Sequence, residues 1–311
     1  MTARQHDIWQ RLVRLHRAAA GAAGAIEDWA TARIAALVEQ ATEMMLADLQ
    51  VHPDRVNDAT VQSLARVFGA TVNRGVEVMA EMAAATFDLG SGNGASGVAQ
   101  FGIVSRQKIE AIANALDSQF RPNLLTAGRA RWYDRLSGEV MKPQSALMRA
   151  LIEARINGRS LGDAARILLE ADPTLAELPS VTRQMSAEFR ARMVVRTESN
   201  QILNTAGVLF NEQAGISTFR NFGIGDDRQA DTCWMASLAE PMKMDRWAKY
   251  EAGPMERPVP WQKRVKVRLV PRQFVGPAGR HPQCRCQMVG IPAAFVPSRQ
   301  LLVDAGLMVA A

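Results

Sequence analysis

The sequence predicts an α+β protein, with a mainly helical body followed by a small β-containing lobe near the C-terminus. Three observations carry this expectation. Hydrophobic residues fill 48% of the 311 positions while aromatic ones fill only 6%, and there are 15 methionines, a composition suited to packed helices. Apolar residues recur at steps of three and four as far as Gln213. Beyond that point the chain becomes rich in Pro, Gly and Arg, and its apolar period changes to two.

Ile26, Ala30, Ile34, Leu37, Ala41, Met45 and Leu49 mark one face of a first helix. Val51-His52-Pro53-Asp54 predicts a break, because Pro53 drives His52 out of the helical region and Asp54 can cap the next helix. Val61, Leu64, Phe68, Val72, Val76 and Met79 resume the period, which makes residues 1–89 an N-terminal helical region. His6, His16 and His52 lie among Arg and Gln or beside the turn and are expected to face solvent. Gly90-Ser91-Gly92-Asn93-Gly94-Ala95-Ser96-Gly97 predicts a flexible linker or loop over 90–97. It lacks the Gly-Lys-Ser/Thr ending that a phosphate-binding loop requires.

Residues 98–215 predict a helical body. One helical stretch covers Val98 to Gly138 with an interruption near Pro122; another covers Ser145 to Ile156 and stops at Asn157-Gly158. Ser160 reads as an N-cap with Asp163 in the first turn of a helix that Asp172-Pro173 ends. A long helix is then expected from Ser180 to Gln213, stopped by Gly215. Its apolar stripe is Ala191, Val195, Ile202, Ala206 and Leu209, and Glu198 falls on that stripe. An unpaired carboxylate there would cost several kcal/mol. Glu198 is therefore expected to latch the helix to the following lobe, and Glu198, Arg196 and Asn204 form the candidate latch, although Arg196 points off the stripe. No second carboxylate or histidine stands at a productive spacing on this helix, so no catalytic residue is assigned and no enzyme is expected.

Residues 216–291 predict a small basic β lobe. Ser217 to Phe222 reads as a short strand, and Arg264-Val265-Lys266-Val267-Arg268-Leu269-Val270 alternates basic and apolar residues. Arg264, Lys266 and Arg268 share one face of that strand and, with Lys263 and Arg272, are the candidate nucleic-acid contacts. The alternative is an edge strand whose charges block aggregation, and the pattern fits both. The net charge is +6 and the pI about 9.6. Between Met255 and Cys286 stand Arg257, Lys263, Arg264, Lys266, Arg268, Arg272, Arg280 and Arg285 against the single acid Glu256, so this segment alone outweighs the net charge of the chain. Residues 292–311 read as an apolar tail, either docked or frayed.

All three cysteines and one of the four histidines lie between Asp226 and Gly290, and Cys233, His281, Cys284 and Cys286 make a set of soft ligands for zinc. Two other readings stand beside it. Cys233 can be a small buried hydrophobe with His281 in a Pro-bounded turn, or Cys233 can pair with Cys284 or Cys286. No run of apolar residues is long enough for a membrane helix, no signal peptide is expected, and three cysteines suit a reducing compartment.

Three segments taken together resemble a known family. Val194-Val195-Arg196-Thr197-Glu198-Ser199, the run Asp226 to Cys233, and His281-Pro282-Gln283-Cys284-Arg285-Cys286 occur in the order seen in the tailed-phage minor head proteins, the head-morphogenesis family typified by protein F of phage Mu. The resemblance covers residues 150 to 290 and includes the Asn157-Gly158-Arg159-Ser160 turn; Ala236 stands where many members carry a second cysteine. It implies a virion component at the portal vertex or inside the head, acting in head assembly, DNA packaging or genome delivery. The portal protein, other head proteins and packaged DNA would be its partners, with no membrane, and assembly would occur in the host cytoplasm. Two other classes are weighed against it: a zinc-stabilised nucleic-acid-binding module, and a nuclease or hydrolase built on Asp226, Asp227 and Asp231 or on His281 and Cys284.

Overall fold

A computed structural model describes residues 3–51, 57–160, 163–164, 166, 186–222, 242–243, 250–251, 255–258, 267–270, 273–274 and 286–295. The described chain is mostly helical, with a small antiparallel β element. Its helices are α1 (Ala3–Val51), α2 (Asp58–Phe101), α3 (Arg106–Ala115), α4 (Arg121–Arg135), α5 (Lys142–Ile156) and α6 (Ala187–Gln213). Seven short strands come after them: β1 (Thr218–Phe222), β2 (Met242–Lys243), β3 (Tyr250–Glu251), β4 (Met255–Pro258), β5 (Val267–Val270), β6 (Gln273–Phe274) and β7 (Gln287–Gly290). Among the described residues no helix is long and apolar enough to cross a membrane.

The helix boundaries obey local chemistry and depart from the sequence reading at four places, one being the break at residues 102–105 that separates α2 from α3 inside the stretch read as helical from Val98. Pro53 and Asp54 lie outside the described residues, and the cap of α2 is Asn57, whose Oδ1 accepts from the Thr60 N–H at 2.8 Å. Pro122 does not interrupt the chain. A π turn at Leu116–Phe120 precedes it, closed by Arg121 N–H donating to Leu116 O, and this wider turn accommodates a residue without an N–H. The last long helix begins at Ala187, where the Ser186 hydroxyl accepts from Phe189 N–H at 3.1 Å, and not at Ser180.

Two helix ends stop as glycine predicts. At Asn157-Gly158 the Arg159 N–H returns to Ala154 O and Gly158 N–H to Arg155 O, with Gly158 at φ +64°. At Gly215 the same pair of bonds runs from Ile216 to Asn211 and from Gly215 to Glu212, with φ +86°.

Ser160 and Asp163 form the reciprocal cap read from the sequence. Ser160 Oγ accepts from Asp163 N–H at 3.2 Å, while Asp163 Oδ2 accepts from Ser160 N–H at 3.1 Å. Those bonds, the backbone one first, hold the Asp163 carboxyl below its ordinary range. Ser160→Ala should cost about 1 kcal/mol in urea-induced unfolding. A neutral result would mean that Asp163 alone carries the cap.

The helices do not divide in sequence order. One compact unit gathers residues 1–26, 83–124 and 196–311, and a second gathers 27–82 and 125–195. α1 and α2, at 49 and 44 residues, each contribute to both units, whereas the sequence reading divides the chain at 1–89, 98–215 and 216–291. A helix several times the usual length cannot bury its apolar face in one small core.

The second unit packs Met45, Leu64, Met148, Leu151, Ala154 and Ala164 together, with Leu49, Val61, Val67 and Leu147 at the margin. Arg129 and Arg155 reach the carboxylates of Glu77 and Asp58 as bidentate pairs. A second π turn, Leu136–Val140, leaves the Val140 carbonyl to accept from Arg190 Nε at 2.8 Å.

In the first unit the sheet order is β2-β1-β7, with β1 antiparallel to both neighbours. Phe219 faces Gly290 and Arg220 faces Val289 in the β1–β7 register. Val208 of α6 packs on Phe219 and Met288. Phe295, just after β7, sets its ring 5.1 Å from that of Phe101 at the end of α2, so the start of the C-terminal segment is docked. The separate ladders β3–β6 and β4–β5 complete the described strands.

Candidate functional site

Among the described residues β7 is an outer strand of its sheet, and the candidate site is built on its far edge. An outer strand exposes backbone N–H and C=O groups that must be paired or hydrated. Here the side chain of Asn204 pairs them. Its Nδ2 donates to Cys286 O at 3.0 Å and its Oδ1 accepts from Met288 N–H at 2.6 Å. One carboxamide thereby reproduces the two bonds that a neighbouring strand would make to residues two apart. Asn204 Nδ2 also reaches back to Asn200 O at 2.8 Å, which fixes the amide's orientation. Asn211 stands two turns further along α6 and donates to Gly207 O at 2.7 Å. A side chain at Gly290 would run into the Asn211 carboxamide, so this strand position has to be glycine.

The segment expected to be a linker lies under this edge and is helical. Residues 90–97 belong to α2, and their glycines let α6 approach closely. A Cβ at Gly90 would stand 2.5 Å from Leu203 O and 2.9 Å from the Ala206 Cβ; one at Gly94 would stand 2.8 Å from the Phe210 Cβ. Gly92, off that face, would meet nothing within 4 Å. Glycine density promotes flexibility in an unpacked chain, but four-residue spacing on a buried helix face gives a flat contact strip instead.

His16 completes the site and is a second correction, since the sequence suggested an exposed residue. It is buried at 7% exposure on α1, with Nδ1 2.8 Å from Gln287 Oε1 of β7 and 2.9 Å from Asn93 Nδ2 of α2. Nδ1 can donate to Gln287 or accept from Asn93, but not both at once. Burial pushes the imidazole down to about 4 against the smaller opposing effect of Gln287, so the ring is neutral at pH 7. His16, Asn93, Asn204, Asn211, Gln287 and Gly290 line a crevice of about 10 Å³, the room of one water.

The candidate latch residues separate. Asn204 bridges α6 to β7 directly; Glu198 is enclosed at 1% exposure on the same helix; Arg196 is partly buried there. The buried face of α6 is wider than the expected stripe, since Val194, Ser199, Leu203 and Phe210 are enclosed while Leu209 is only partly so. Arg220 on β1 is buried at 2% exposure, and burial lowers its guanidinium to about 10, still a cation at neutral pH.

Of the soft ligands, Cys286 lies buried immediately before β7, and Cys233, His281 and Cys284 fall outside the described residues. Among the described residues no group of three His, Cys, Asp or Glu could hold a metal ion. Of the basic candidates, Arg268 lies on β5 opposite Arg257 of β4, while Lys263, Arg264, Lys266 and Arg272 fall outside the described residues. The strand read from Arg264 is described from Val267. Sequence reasoning missed His16, Asn93 and Gln287 because their partners are up to 271 residues away. The glycine spacing at 90 and 94 was the one local signal of close helix packing. Compared with protein-family models, curated proteins and solved structures, the chain matches none.

Proposed function

We propose that this chain is a minor head component of a tailed phage, acting at the portal vertex or inside the capsid during head assembly, DNA packaging or genome delivery. The observation that carries the reading is the Asn204 clamp. The helix with Arg196-Thr197-Glu198-Ser199 and the segment ending in Cys284-Arg285-Cys286 are the most specific points of resemblance to the minor head proteins, and Asn204 ties the first to the end of the second and the strand directly after it. A motif-bearing helix that closes the fold through its own side chain suits a structural protein. Glu198 is enclosed inside a helix, where a substrate would have no approach, so the reading assigns no enzymatic role.

On the same reading, residues 216–291 are a basic β lobe closed by β7, and zinc on Cys233, His281, Cys284 and Cys286 is a proposed reinforcement of it. The opposed arginines of β4 and β5 favour one second reading, a zinc-held module that binds nucleic acid through its basic segment.

The test is co-assembly of the full chain with the portal and major capsid proteins of the same virus. Heads that retain the chain at the portal vertex, and lose it on Asn204→Ala, are the expected result. Heads that form with wild-type chain absent from them would overturn the proposal. Duplex DNA binding by the full chain that weakens steeply with salt, without retention in heads, would replace it with the second reading.

A further inference from the structure

His16 joins three elements that are far apart in sequence. It sits on α1, meets Asn93 of α2, and meets Gln287 at the first position of β7. The described contacts of its Nδ1 are with neutral amides, and the described residues lining the crevice from α2, α6 and β7 include no carboxylate, lysine or arginine. On α1 itself the neighbouring Leu12, Val13 and Ala19 are buried and apolar, while Arg14 and Arg17 are exposed. The other buried charged groups described in this unit, Glu198 on α6 and Arg220 on β1, do not line the crevice. A proton gained by the ring would place a cation among amides, glycines and apolar side chains.

We propose that His16 is an acid-operated latch: its neutral ring ties β7 to α1 and α2, and addition of a proton loosens β7 from both helices. The direction comes from linkage. In the closed form burial pushes the ring down to about 4, whereas a ring freed by opening takes its proton at the ordinary 6.5. Closure is therefore fully stable above 6.5 and is lost progressively as the pH falls toward 4. β7 is the element that yields, because it is a four-residue outer strand and its partners in the clamp are side-chain amides. Gln287 couples the two systems, lying between Cys286 and Met288, whose backbone groups Asn204 holds.

Hydrogen exchange of the full chain, read by mass spectrometry on the peptide covering 286–295 and corrected for the intrinsic pH effect, tests this. Between about pH 7 and about pH 4.5 the opening of that peptide should rise about 50-fold, while peptides of α5 should not follow it. His16→Gln keeps an amide in place of the ring and should abolish the rise. Gln287→Glu places a carboxylate against the ring, favours the imidazolium in the closed form, brings the closed value toward the open one, and should shrink the rise. A wild-type peptide that stays closed, or an equal rise in His16→Gln, overturns the latch. Should His16→Gln not fold, Gln287→Glu decides, and an undiminished rise then rejects the proposal.

Discussion

Asn204→Ala is expected to destabilise the first unit by about 4 kcal/mol, because it strands two buried backbone groups at once. The Met288 N–H loses its acceptor and the Cys286 carbonyl its donor, in a place where Asn204 itself is only 8% exposed. Water cannot take over both bonds without opening the contact between α6 and β7. The residue that separates a bidentate clamp from a single bond is aspartate. Asn204→Asp keeps an acceptor for Met288 but turns a second oxygen toward the Cys286 carbonyl and buries a charge, so it should cost at least as much as alanine at neutral pH. Urea unfolding of both variants, with exchange at residues 286–295 as the local readout, checks this. A loss below about 1 kcal/mol for alanine would mean that the outer edge of β7 finds other partners.

The sequence was legible at several places where the determining chemistry is local, although the caps Asn57 and Ser186, each three residues from its partner, were misplaced. Ser160 with Asp163, the glycine stops at Gly158 and Gly215, and the apolar period of α1 and α2 each lie within one or two helical turns, and each is found in the structure. The mainly helical character with a small β element came from the same local periods. Pairing across the chain left no such trace. Asn204 meets Cys286 across 82 residues and His16 meets Gln287 across 271, and neither an asparagine in a helix nor a histidine among arginines announces such a partner. The glycine run at 90–97 failed for a different reason. The same residues favour a loose chain in water and a close contact between helices, and only the opposite face decides which is realised. Here that face is Leu203, Ala206, Gly207 and Phe210. The two compact units were hidden as well, because a helix that serves two cores keeps one uninterrupted apolar period through both.

Close packing of the glycine run predicts opposite signs at neighbouring positions. Alanine in place of glycine inside a helix gains about 1 kcal/mol when its methyl group meets nothing. Gly92 is such a position, so Gly92→Ala should stabilise the protein by about that amount. Gly90 is not. Its added methyl would meet the Leu203 carbonyl at 2.5 Å, and backbone cannot turn aside as a flexible side chain can, so α2 and α6 must separate. The overpacking cost exceeds the gain in propensity, and Gly90→Ala should lose about 2 kcal/mol, with Gly90→Val losing more. Gly94→Ala should fall on the same side, because the Phe210 side chain it would meet is fully enclosed. Thermal or urea unfolding of the three alanine variants measures the pattern directly. If all three were stabilising, the run would behave as ordinary exposed helix and the contact strip between α2 and α6 would be refuted. If only Gly90→Ala and Gly94→Ala are destabilising, the four-residue spacing is the feature that sets how closely α6 can lie, and therefore where Asn204 meets the edge of β7.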